Sequence, residues 1–227
     1  MNNIEELQNV IGYSFNNINL LTQALTHISF ANDNNVESYE RLEFLGDAVI
    51  ELIVSEYIYE SLPITAGDLT RLRASLVSTD YLSKISIKLE LDKKARKSKS
   101  LQQLGKKNIA DLFESLVGAI YLDGGFGAAK SIIMKYVIID NNNIAFVIKN
   151  SIDYKSRLQE YMQGNGSKFE YVLLSSSGPD HQREFEVALV IEGDNTVVAK
   201  ASSIQHAEEK CAEEYCNRFL NINTYAK

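Results

Sequence analysis

Cysteine is scarce in this chain of 227 residues. There are two, Cys211 and Cys216, five apart in a segment whose apolar periodicity is helical. That spacing suits neither a disulfide staple nor a zinc site, and it predicts a reduced, cytoplasmic protein. No apolar run approaches the roughly 18 residues of a membrane span, so no membrane partner is expected. The opening MNNIEELQNV carries acids and lacks the basic-then-apolar order of a secretory leader. Internal repeats and low-complexity segments are missing too. What is present is a hydrophobic content of 45%, enough for a proper core and incompatible with global disorder. The length suits one large domain or two small ones.

The net charge of −7 argues by itself against nucleic acid as a partner. Its distribution points elsewhere. Lys93, Lys94, Arg96, Lys97, Lys99, Lys106 and Lys107 follow one another with no acid among them. Such a run is either a solvated loop or a phosphate-contacting patch on an acidic body, and composition does not choose.

The first two thirds read as helices. Short apolar-periodic pieces in VIGYSFNNINLLTQALTH precede a long helix over Glu40–Tyr59, ended by Leu62-Pro63. Gly67-Asp68 offers a start for LTRLRASLVSTDYLSKISIKL. A helix over Ile109–Leu122 is stopped at Asp123-Gly124-Gly125, a further one covers about 127–137, and the Asn-rich Asp140–Asn143 reads as a loop. From Ser151 the pattern changes to a helix in DYKSRLQEYMQ, strands broken at Ser-Gly-Pro and Gly-Asp-Asn, and an amphipathic helix in HAEEKCAEEYCNRFL. The expectation is a multidomain chain: an all-α domain at 1–145 and a small α+β domain of order α-β-β-β-α at 151–227.

One stretch of the long helix, ERLEFLGDAVIEL, places acids inside an apolar element. At about 100° per residue, Glu40, Glu43 and Asp47 fall at about 0°, 300° and 340°, one stripe on a helix apolar nearly everywhere else. The surrounding pattern predicts a mostly buried helix. In IADLFESLVGAIYL the ionisable groups are Asp111 and Glu114, spaced i, i+3 on one face. Two such helices place four or five carboxylates around one point. Charges that close repel. They are relieved by protonation, by salt bridges to Arg41, Arg71 or Arg73, or by a hard divalent cation. An all-oxygen donor set favours Mg²⁺ or Mn²⁺ over zinc. Glu51 shares the stripe one turn beyond Asp47 and is expected to pair with an arginine.

These residues resemble a family. YERLEFLGDAVIEL resembles the signature helix of ribonuclease III, and LLTQALTHISF, GDLTRLRASLVS and IADLFESLVGAIYLDGGF extend the likeness in family order. DYKSRLQEYMQ, SGPDHQREFEV and HAEEKCA resemble a double-stranded-RNA-binding domain. The resemblance implies an all-α endonuclease domain followed by an α-β-β-β-α RNA-binding domain, in a homodimeric, Mg²⁺-dependent enzyme (Mn²⁺ substituting) that hydrolyses both strands of double-stranded RNA. It implies 5′-phosphate and 3′-hydroxyl ends with short 3′ overhangs, and ribosomal RNA precursors and structured messages as substrates. Carried over by position, Glu43, Asp47, Asp111 and Glu114 would form the metal cluster. Asp47 and Glu114 would be the most sensitive catalytic positions, with Glu40 supporting the site. Phe44 matches an aromatic that enters the partner subunit at the dimer interface. Gly178, Pro179 and His181 match a loop that enters the RNA minor groove. His27, His181 and His206 are not required for the chemistry.

The sequence also departs from the family. The last helix usually opens on paired lysines, Lys-Lys-x-Ala-Glu, where this chain has Ile204-Gln205-His206-Ala207-Glu208. Residues 151–227 hold eight cations against twelve acids, a balance of −4, leaving Lys200 or Lys210 to meet phosphate. Weaker, less salt-sensitive RNA binding by this domain than is usual for its type is expected. Ala66, Ile28 and Tyr39 replace a frequent Glu, Arg and Asn. Two rivals use the same scaffold: a catalytically silent RNA-binding protein, and an enzyme whose acidic tail binds protein. The four intact acids argue against the first.

Overall fold

Side-chain oxygens and one imidazole mark where the early helices begin. Asn17, His27, Thr65 and Ser78 each accept a hydrogen bond from a backbone amide of the first turn, opening α2 (Ile18–Ala24), α3 (Ile28–Asn34), α5 (Ala66–Leu76) and α6 (Thr79–Lys88). Helix α1 (Asn2–Ile11) precedes them, and a short α7 spans Leu91–Lys94. The computed structural model describes residues 2–139, 152–179, 182–192 and 194–220, the side chains of 2–3 and 194–196 excepted. It divides into two units, Met1–Ser151 and Ile152–Lys227. The loop expected at Asp140–Asn143 and the expected boundary at 145 lie outside the described residues.

The first unit is built on two long helices. Helix α4 (Glu40–Ser61) ends where Leu62 turns extended, as the residue before a proline must. Helix α8 runs from Lys106 to Ile133 and breaks at Gly125, whose φ of 76° and ψ of −174° are open to glycine alone. The glycine stop expected at 123–125 is therefore a kink that leads straight into more helix. A π-helical turn, Met134–Ile138, follows. Leu42, Val49, Ile50, Ile53 and Val54 of α4 are buried, as are Leu112, Phe113, Leu116 and Ile120 of α8, and the two helices pack along each other. Length and composition alone would let α8 with its π-turn cross a bilayer, but Asp111 sits in it and its apolar residues fill this core.

Helix α4 is less buried than its pattern predicts. Phe44 is 81% exposed, Tyr59 77% and Leu52 59%. Its apolar residues fall on two faces, and only one of them meets α8. Periodicity reports that a residue is apolar, not which partner covers it.

In the second unit, α9 (Tyr154–Asn165) starts on Asp153, which accepts from the Ser156 amide at 3.0 Å. Strands β1 (Phe169–Ser177), β2 (Glu184–Ile191) and β3 (Asp194–Ala201) form an antiparallel sheet in that order. Helix α10 (Ile204–Phe219) packs on β2, β3 and α9. Leu158, Met162, Val187, Leu189, Cys211 and Cys216 share its core. Both cysteines are free and buried. The architecture is thus a helical unit followed by an α-β-β-β-α unit.

Candidate active site

Two glycines bring the acid-bearing helices together. A Cβ at Gly46 would stand 1.8 Å from the Glu114 carbonyl oxygen, and one at Gly118 would stand 2.2 Å from that of Leu42. Helices α4 and α8 thus touch backbone to backbone where their acids lie, closer than side chains permit. Asp111 and Glu114 come to face Glu43 across this contact. One ligand oxygen from each of these three lies within 4.8 Å of the others.

The three open into a cleft of about 500 Å³ whose lining also includes Glu40, Asp47, Phe44, Tyr39, His27 and Lys107. Asp47 stands at this lining outside the three-acid group. Glu40 lies at the edge and accepts from Ser38 Oγ at 2.9 Å. Asp111 is almost fully buried.

The electrostatics show what such crowding costs. Burial pushes the Glu114 carboxyl up from 4.5 to about 7, and Asp47, Asp111 and Glu43 add to the rise. Glu43 is raised by burial and by Asp111, with Lys107 opposing. Asp47 is raised by desolvation and by Glu51 one turn on. An oxygen-only donor set whose members resist ionising together fits a hard divalent cation.

The expected arginine pairing is not found. Among the described residues, neither Arg41, Arg71 nor Arg73 pairs with these acids, and Glu51 has no arginine partner. Arg71 instead holds the buried Asp68 at 2.7 Å, and Arg73 donates to Ser55 Oγ. The cation facing the acids is Lys107, whose Nζ lies 3.3 Å from Glu43 Oε1 and 3.1 Å from Asp111 Oδ2. The pattern did offer this contact, since Lys107 is four residues before Asp111 on one helix. The rest of the basic run is mostly tied down. Lys106 pairs with Asp80, Lys93 with Glu90 and Lys94 with Glu6. Lys97 donates to the Leu101 and Gln102 carbonyls, and the Arg96 guanidinium lies 4.3 Å over the Phe30 ring. Surface ion pairs thus engage much of the run, while Lys93 and Lys106 stay largely exposed.

Further residues support the walls. Tyr39 is 3% exposed, and burial beside Asp111, Glu43 and Glu40 pushes its hydroxyl above the usual tyrosine range. His27 joins Asn108 and Ser29, each at 2.8 Å, and burial keeps its imidazole below the usual range against the pull of Glu40 and Asp111. Phe44 combines a place in the cleft wall with its outward exposure.

In the second unit, Gly178 has a φ of 91°, and a Cβ there would meet the Gln182 carbonyl oxygen at 2.6 Å. Pro179 accepts from the Gln182 amide at 2.8 Å. His181 lies outside the described residues. Lys200 pairs with Glu186 across β2 and β3, 3.5 Å apart. Lys210 Nζ donates to the Lys200 carbonyl at 2.9 Å. The two lysines are thus neighbours, and each is engaged within the unit.

Comparison with known proteins agrees with this division. A Ribonuclease-III-like family model matches residues 17–140, and a double-stranded RNA binding motif matches residues 154–218. The chain is 40% identical over 218 residues to Ribonuclease 3 of Clostridium acetobutylicum, covering 92% of this chain and 94% of that one. It is 38% identical over 224 residues to Ribonuclease 3 of Bdellovibrio bacteriovorus, covering 92% and 93%. A solved nuclease domain of ribonuclease III from Campylobacter jejuni superposes with a TM-score of 0.57 at 38% identity, over 60% of this chain and 96% of that one.

Proposed function

This chain belongs to the ribonuclease III family, and on that premise we propose that it is a Mg²⁺-dependent, homodimeric endoribonuclease that cuts both strands of double-stranded RNA. The products carry 5′-phosphate and 3′-hydroxyl ends with short 3′ overhangs, and the substrates are ribosomal RNA precursors and structured messages. The work is cytoplasmic. The observation that carries the reading is the convergence of Glu43, Asp111 and Glu114 in one cleft.

Each residue has a stated task. Glu43, Asp47, Asp111 and Glu114 hold the metal through carboxylate oxygens, with the buried Tyr39 beside them in the cleft wall. When bound, divalent ions supply an activated water and neutralise charge on the leaving oxygen. Glu114, which burial and the neighbouring acids raise to about 7 in the metal-free cleft, would give up its proton on taking up the metal, with Asp47 beside it. Glu40 orients the rim toward substrate. Phe44 fills a site on the second copy; the nuclease domain from Campylobacter jejuni likewise has a region involved in dimer formation, which is structurally flexible in that protein. Gly178, Pro179 and His181 approach a minor groove of the duplex, and Lys200 and Lys210 meet its phosphates.

The test is duplex RNA incubated with the protein in Mg²⁺, in Mn²⁺ and in EDTA, with product ends mapped. Cleavage is expected with either metal and is lost in EDTA. Equal cleavage in EDTA, or 3′-phosphate ends, would overturn the proposal.

A further inference from the structure

We propose that Lys107 is a resident counter-cation of the acidic cleft, which a divalent ion must displace before the site is loaded, so that this side chain sets the metal affinity of the enzyme. The inference rests on the metal-site reading above. Its geometry is specific. Nζ reaches Glu43 on α4 at 3.3 Å and both Asp111 oxygens on α8 at 3.1 and 3.4 Å. It therefore lies between acids of two helices. Among the described residues no other cation forms an ion pair with Glu43, Asp47, Asp111 or Glu114. The ammonium and a hard metal ion seek the same oxygens and repel each other, so an ion that takes up these oxygens loosens the ammonium's hold.

Helix stability does not explain the placement. Lys107 is in the first turn of α8, where the helix dipole disfavours a cation. Lys before Asp at i, i+4 is also the weaker order of such a pair. What holds the ammonium is the acid pair itself. Its release is easy, because the side chain is 73% exposed on a flexible stem. It has only to swing toward solvent, with little packing lost. A lysine here thus keeps the empty site partly neutral and makes loading a competition between cations.

The experiment is titration of the full-length protein with Mn²⁺ in the absence of RNA, followed by calorimetry and by electron paramagnetic resonance of free Mn²⁺. The parent is compared with Lys107→Met, Lys107→Gln and Glu114→Gln. The proposal expects Lys107→Met and Lys107→Gln to bind Mn²⁺ about tenfold more tightly than the parent. It also expects them to melt at lower temperature in EDTA and to gain more from added Mn²⁺. If Glu114→Gln binds more weakly while both Lys107 variants match the parent within twofold or bind worse, the proposal alone is overturned. If Glu114→Gln binds as the parent does, or neither parent nor Lys107 variants bind Mn²⁺, the metal-site reading falls and this inference falls with it.

Discussion

At the scale of the residue, Glu114 couples chemistry to stability. Its value of about 7 in the fold lies above the ordinary 4.5, so between those two values the folded chain keeps a proton that the unfolded chain has released. The metal-free protein is therefore least penalised below about pH 4.5, loses stability as pH rises toward 7, and changes little from this group beyond it. Glu114→Gln removes the ionisation. Its melting temperature in EDTA should match the parent near pH 5 and exceed it by a few degrees at pH 8. The same variant should cleave duplex RNA at least several hundred-fold more slowly while still binding it. A melting difference that ignores pH would refute the electrostatic account. Activity within tenfold of the parent would refute the role. The acids themselves were legible in the sequence, because charge inside an apolar pattern demands a partner. The partner was not. Arg41, Arg71 and Arg73 were the salt-bridge alternative to a metal, and among the described residues it is a lysine from the basic run that pairs with the acids, because a helix contact between distant segments decides which cation arrives.

At the scale of the element, the α4–α8 crossing is the site's foundation. Gly46→Ala would put a methyl 1.8 Å from a main-chain oxygen, which no rotamer relieves. The helices must part, and a loss of about 2–4 kcal/mol in urea unfolding is expected, together with weakened Mn²⁺ binding. An unchanged midpoint would show that the helices yield freely. Helix α10 offers the opposite experiment. Its first turn presents Ile204, Gln205 and His206 with no lysine. Replacing Ile204 and Gln205 by lysine should tighten binding of residues 151–227 to duplex RNA and steepen its salt dependence by about two units of slope. A steep slope in the parent would contradict the expectation of weak phosphate contact. Element type and order were readable from periodicity and caps. The further helix over about 127–137 was expected as well; that Gly125 alone interrupts, with helix resuming at once, was not, since a glycine stop and a glycine kink look alike in sequence.

At the scale of the whole molecule, the apolar surface left open on α4 is the largest departure from what the sequence suggested. A long apolar helix was expected to be mostly buried, yet Phe44, Leu52 and Tyr59 face outward. Within one chain the pattern cannot say whether its own core or a second copy covers a face. Phe44→Asp should shift sedimentation from dimer to monomer at micromolar concentration, and a species of unchanged mass would remove α4 from the interface. Phe44 also lines the cleft, so a seam between copies on this face would share a side chain with the proposed place of cutting. Dilution that parts the copies would then strip a wall from each cleft, and turnover per chain would fall as the sample thins. The quantity of enzyme in a compartment would govern the rate more steeply than in simple proportion.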